Sequence, residues 1–135
     1  VKIDGKTISE IKQGLLILVC AMADDNEIKA EQMASKISKI RIFNDENGKM
    51  NKSVKDINGE ALVVSQFTLA ADTSRGNRPG FSYAAHPERG EKLYEYFTKK
   101  LQESDINCKM GVFGGDMMVS LTNDGPTTIW LDNKD

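Results

Sequence analysis

Ala61-Leu62-Val63-Val64-Ser65-Gln66-Phe67-Thr68-Leu69 is the stretch whose reading decides the fold. Its first seven residues predict a strand, and the unbroken apolar run at its start predicts burial on both faces. Gly14 opens a second run of this kind, Leu15-Leu16-Ile17-Leu18-Val19-Cys20. Between the two lie Asp24-Asp25-Asn26, which are helix-capping residues, and then a helical pattern from Glu27 to about Lys39. Ile28, Met33, Ile37 and Ile40 fall roughly on one face of that helix. Lys29, Gln32, Lys36 and Lys39 take the other.

Further out, Asp4-Gly5 sits between Val1-Lys2-Ile3 and Lys6-Thr7-Ile8, a strong hairpin signal. Arg41-Ile42-Phe43 reads as a short strand, and Asn44 to Gly48 and Asp56 to Gly59 read as turns. Pro87 suits the first turn of a second helix, whose apolar face is Leu93, Tyr96, Phe97 and Leu101 and which runs to about Ser104. Cys108 to Phe113, Met117 to Thr122 and Thr127 to Leu131 complete the predicted strands. Strands and helices do not alternate regularly, which favours α+β over a doubly wound sheet.

The chain has 135 residues, 39% apolar and 28% charged, so it reads as one ordinary globular domain over residues 1–135. Its net charge of −2 argues against bulk adhesion to nucleic acid or to anionic membranes. The charge is uneven, however. Thr73 to Gly90 carries Arg75, Arg78, Arg89 and His86 against one acid, Glu88.

The usual sources of catalysis are scarce. His86 is the one histidine, and it reads as an exposed loop residue before Pro87. Cys20 and Cys108 lack paired spacing and read as free thiols of a reducing compartment. Asp24-Asp25 and Asp45-Glu46 are explained by capping and turns rather than metal binding. The glycines of Gly111-Val112-Phe113-Gly114-Gly115 match no phosphate loop and point to bulging or close backbone approach. No apolar run reaches membrane-spanning length.

Two segments are less easily explained. Ser65 to Leu69 runs a buried strand into polar residues just before the basic loop. That suits an anionic or ester-bearing ligand, or else hydroxyls that merely satisfy backbone groups. Asn123-Asp124-Gly125-Pro126-Thr127 is either a plain turn or a cis-proline element.

Taken together, these segments resemble the D-aminoacyl-tRNA deacylase family, also called D-tyrosyl-tRNA deacylase. Its SQFTL signature stands as Ser65-Gln66-Phe67-Thr68-Leu69. Its NxGPxT signature stands as Asn123-Asp124-Gly125-Pro126-Thr127-Thr128. Asp72 to Phe81 and Phe113-Gly114-Gly115-Asp116-Met117 are also similar to the family, in the same order.

The resemblance implies an α+β fold with antiparallel or mixed sheets, a barrel-like core and two main helices. It implies a homodimer with active sites at the interface, acting in the cytoplasm on the acceptor end of aminoacyl-tRNA. No cofactor, metal, membrane or DNA is implied. The expected reaction is hydrolysis of D-aminoacyl-tRNA, and of glycine mischarged onto alanine tRNA. Gly125 and Pro126, joined by a cis bond, would exclude L side chains. Ser65, Gln66, Phe67 and Thr68 would form the catalytic pocket, with N–H groups near Gln66 and Phe67 polarising the ester. Thr68 would position substrate first and act as a nucleophile second, with the RNA's own 2′-hydroxyl assisting. Phe113 and Met117 would hold the terminal adenine, and Arg75, Arg78 and Arg89 the phosphates. Family members usually begin with a further strand that is expected to be missing before Val1. The alternative is a non-catalytic tRNA- or nucleotide-binding module that keeps the pocket.

Overall fold

The computed structural model describes residues 1–133. Its centre is a three-stranded sheet of β3 (Gly14–Val19), β6 (Glu60–Ser65) and β7 (Asn107–Met110), with β6 in the middle. Both pairings are parallel. Parallel neighbours need crossovers, and the two helices lie in them: α1 (Glu27–Lys39) between β3 and β6, and α2 (Pro87–Glu103) between β6 and β7. The class is α+β, as expected, and the central sheet is wholly parallel rather than antiparallel or mixed. The antiparallel pairing is confined to two hairpins, β1 (Lys2–Ile3) with β2 (Lys6–Thr7), and β4 (Phe43–Asn44) with β5 (Met50–Lys52).

Side chains alternate across β6 and build two cores. Ala61 and Val63 face α1 and α2, joining Ala34, Ile37, Tyr94, Phe97 and Leu101. Leu62 and Val64 face the other way, against Val1, Leu16, Met117 and Val119. Burial on both faces is therefore correct for β6. Local chemistry also holds at the start of α1, where the Asn26 Oδ1 accepts from the Lys29 N–H at 2.9 Å. The first hairpin turns through Asp4 and Gly5, both at positive φ, which is the primed turn that Asp-Gly favours.

Several expectations need correction. The strand predicted to Phe67 stops at Ser65, and Phe67–Ala70 is a 3₁₀ turn. Beyond Ser65 the chain leaves the neighbours that would accept its backbone bonds. Residues 117–122 and 127–131 form no regular strand. Met118 bridges Lys2 through a pair of backbone bonds, and the chain beyond it finds no ladder partner among the described residues. For the same reason no barrel closes among the described residues. Ile28 is 63% exposed rather than part of the α1 core face. On α2, Tyr94 is the buried tyrosine, whereas Tyr96 sits at the helix–helix rim and donates to the Glu31 carboxylate.

Tyr94 ties α2 to the sheet. Its hydroxyl donates to the Val63 carbonyl at 2.9 Å, and that carbonyl also accepts from the Gly111 N–H at 3.0 Å. Burial pushes the Tyr94 phenol up from 10.0 to about 12. The folded chain thus keeps this proton between pH 10 and 12, where an unfolded chain releases it. The contribution to stability is full below pH 10 and is lost as pH rises through 12. Tyr94→Phe should cost about 1 kcal/mol at neutral pH, because Val63 keeps its bond to Gly111. It should also flatten the fall in stability between pH 10 and 12, leaving the fall that Cys108, pushed up from 9.0 to about 11 by burial, contributes. Urea unfolding across alkaline pH checks both; parallel curves for the two proteins would rule out this role.

Candidate functional site

In a parallel sheet all strands end on the same side, and ligands of open α/β sheets bind beyond those carboxyl ends. Here that end gathers Cys20 after β3, Gln66-Phe67-Thr68 after β6, and Gly111-Val112-Phe113 after β7. The arrangement is pinned by backbone bonds. The Gln66 N–H donates to the Val19 carbonyl at 2.8 Å, and the Cys20 thiol lies 3.7 Å from the Phe67 carbonyl.

The 3₁₀ turn presents its chemistry outward. Phe67 is 57% exposed and Thr68 is exposed, while Leu69 is half-buried and Ala70 buried. The first N–H groups of any helical turn lack an acceptor within it, and Phe67 and Thr68 occupy that position. The Gln66 N–H, expected to share in polarising an ester, is instead committed to Val19. The Gln66 side chain turns to its neighbour, and its Nε2 donates to the Thr68 Oγ1 at 2.6 Å. An amide donor orients the hydroxyl but cannot take its proton. Cys20 supplies no base either, since burial, with the Asp25 charge behind it, raises its thiol above the ordinary value. His86 is exposed at the start of α2 and makes no side-chain capping bond.

The basic loop is anchored next to this turn. Asp72 and Gly80 exchange two backbone bonds of 2.7 and 2.9 Å, closing the loop that carries Arg75 and Arg78. The Asp72 carboxylate accepts from the Ser74 hydroxyl and N–H, which holds it below the usual carboxylate range. Neither Arg75 nor Arg78 forms an ion pair among the described residues, and both are exposed. Arg89, expected with them, is engaged elsewhere: it pairs with Glu27 at 3.0 Å and ties α2 to the start of α1. Immediately beyond the loop, Phe81 packs edge-on against Phe67, with ring centroids 5.0 Å apart.

Phe113 and Met117 are half-buried. Phe113 lies against Tyr94 at 5.9 Å, and Met117 packs over Gly111. A Cβ at Gly111 would stand 2.7 Å from the Met117 sulfur, so this glycine is there for close approach, as its context suggested.

The Gly125–Pro126 bond is cis, which settles the open reading of that turn. Gly125 has φ +138, a conformation side chains rarely adopt. The turn's side-chain bonds are local, and Asn123 makes both: its Oδ1 accepts from the Thr127 N–H at 2.8 Å, and its Nδ2 donates to the Thr128 Oγ1 at 2.9 Å. Sequence reasoning assigns Asn123 no role of its own, although an Asn at the head of a Gly-Pro turn is the residue that bonds its own backbone. Around this turn, Met118, Leu121, Ile129 and Trp130 are exposed, Met118 at 71% and Trp130 at 68%. Asn123→Ala should speed amide exchange at Thr127 by roughly tenfold and leave the thermal midpoint within about 2 °C, because the turn is exposed. Exchange unchanged by hydrogen-exchange NMR would show that Asn123 does not brace it.

Residues 1–132 match the model of a family described as D-Tyr-tRNA(Tyr) deacylase. The D-aminoacyl-tRNA deacylase of Ruegeria pomeroyi is 59% identical over 132 residues, covering 98% of this chain and 91% of that protein. The enzyme of the same name from Aliivibrio fischeri is 51% identical, covering 97% and 90%. Among solved structures, c-Myc DNA unwinding element binding protein superposes with a TM-score of 0.92 at 38% identity, covering 99% of this chain and 91% of its own. A probable eukaryotic D-amino acid tRNA deacylase shares the fold at a TM-score of 0.52 and 16% identity, over 66% of this chain and 52% of its own.

Proposed function

The chain belongs to the D-Tyr-tRNA(Tyr) deacylase family, and on that premise we propose that it hydrolyses the ester of D-aminoacyl-tRNA to free D-amino acid and tRNA. The observation that carries this reading is an intact Ser65–Leu69 signature at the carboxyl end of the central sheet, within a chain matching the family over residues 1–132. Glycine mischarged onto alanine tRNA would be a second substrate, since it has no side chain to exclude.

In this mechanism the Phe67 N–H polarises the ester carbonyl. One such donor contributes roughly 3 kcal/mol to lowering the barrier. Thr68, oriented by Gln66 and without a base, positions the substrate. Water attacks the carbonyl carbon, the 2′-hydroxyl of the terminal ribose assists, and the tRNA leaves through its own ester oxygen. An aminoacyl ester is already activated, so positioning and one or two donors are enough. Phe113 and Met117 hold the terminal adenine, and Arg75 and Arg78 take phosphates. The reaction needs an ester on a terminal ribose, so RNA rather than DNA is the partner, and translation in the cytoplasm is its setting.

Chiral selection falls to Gly125 and Pro126. Their turn is exposed and bonded only locally, and exposed apolar side chains flank it. This supports a homodimer in which the turn enters the partner's site and residues 117–131 gain the strand partners they lack here, completing a barrel-like core.

The deciding experiment compares D-tyrosyl-tRNA with L-tyrosyl-tRNA. Fast release of the D amino acid alone is expected, while equal rates or no turnover would sink chiral editing. Thr68→Ala should keep at least about a tenth of the rate with unchanged KM, because positioning by one hydroxyl contributes about 1 kcal/mol. Total loss at full binding would make Thr68 the nucleophile. Sedimentation equilibrium should give twice the chain mass, and Leu121→Asp, which places a charge in the exposed apolar strip, should give the monomer with activity lost.

A further inference from the structure

Tyr83 joins two properties that seldom occur together. Its ring is 57% exposed, yet its backbone is fixed. The Tyr83 carbonyl accepts from the Ala23 N–H at 2.8 Å. On either side, the Ala85 N–H bonds Ala21 at 2.9 Å and the Ala84 N–H bonds Phe81 at 3.1 Å. The ring itself has no aromatic neighbour, and its hydroxyl no hydrogen bond, among the described residues. A large apolar surface held in water on a rigid support costs solvation and is given no internal use.

Its surroundings say what it would take. Phe81, two residues before it and so at most about 7 Å away along the chain, packs on Phe67 of the candidate catalytic turn. Just before Phe81, Gly80 closes the loop bearing Arg75 and Arg78. From Thr73 to Tyr83 the chain holds two arginines and no acid. An exposed aromatic side chain a few residues along the chain from two unpaired cations suits a ligand that is planar and anionic at once, as single-stranded RNA is.

We propose that Tyr83 is a stacking platform for an unpaired nucleobase upstream of the aminoacylated nucleoside, with Arg75 and Arg78 meeting the phosphates between. This rests on the reading of the chain as a tRNA deacylase and adds a binding residue to it. Tyr83 touches the RNA tail, not the reacting ester. Its contribution is binding of the tail, made equally before and during the chemical step. Stacking tolerates any base, so the platform sets register without reading sequence.

Two substrates separate this role from a general one: D-tyrosyl-tRNA, and D-tyrosyl adenosine, which ends where the upstream tail would begin. Tyr83→Ala should raise KM for the tRNA roughly tenfold with kcat unchanged, Tyr83→Phe should restore it, and neither should alter KM for the nucleoside ester. An unchanged KM for the tRNA, or equal loss on both substrates, overturns the platform, as does conversion of a dimer to a monomer by Tyr83→Ala. If the native protein hydrolyses neither substrate, the deacylase reading fails by itself. The platform is then read by fluorescence anisotropy with a labelled single-stranded oligoribonucleotide ending in two cytidines. Binding that Tyr83→Ala weakens and Tyr83→Phe restores supports it; equal binding by all three overturns it.

Discussion

Everything in this molecule hangs on β6 being held on four sides. Its faces are packed against the helices and against the Val1–Met117 cluster. Its edges are bonded to β3 and β7 in parallel register. A strand so enclosed cannot slip by one residue, because a slip would exchange Ala61 and Val63 for Leu62 and Val64 between cores of different shape. The position of Ser65 is therefore fixed, and with it the point where the chain leaves the sheet. The turn at Phe67 inherits that precision without a side chain of its own buried in the core until Ala70.

This explains how so sparse a site can work. The candidate nucleophiles beside the turn are not activated. Cys20 is held as a thiol, and the Thr68 hydroxyl meets an amide donor. What the fold delivers is main-chain N–H groups of Phe67 and Thr68, free of a partner within their turn and placed at the end of a rigid strand.

Much of this is legible in the sequence, for identifiable reasons. The run Ala61 to Val64 announces a doubly buried strand because no polar residue interrupts it. Asp4-Gly5 and Asn26 announce a hairpin and a helix start because their side chains and φ preferences act locally. What the sequence hides is non-local. Polar Ser65 and Gln66 carry no signal of where β6 loses its neighbours, so composition extends the strand two residues too far. Parallel pairing depends on where crossovers return the chain, which no window of sequence contains. Periodicity places Ile28 and Tyr96 inside, but the packing of the helices on each other and on the sheet buries Ala34 and Tyr94 instead. Residues 117–131 have strand-like composition, but beyond the Met118 bridge to Lys2 they find no ladder partner among the described residues. In the candidate site, Ser65 to Thr68 and Asn123 lie within the signatures, whereas the two side-chain bonds that Asn123 makes across its turn are seen only in the structure.

The double hydrogen bond between Asp72 and Gly80 has a consequence for how such a protein diversifies. It clamps the two ends of a seven-residue segment at fixed separation, with Phe67 and Phe81 in contact just outside the clamp. Whatever lies between is held at its base, apart from the turn at Phe67. Length at the tip can then change by mutation while the ends stay in place, because loop closure costs little per added residue once the ends are held. The clamp divides this stretch of chain into a tip free to vary and a base held in place beside Phe67 and Phe81.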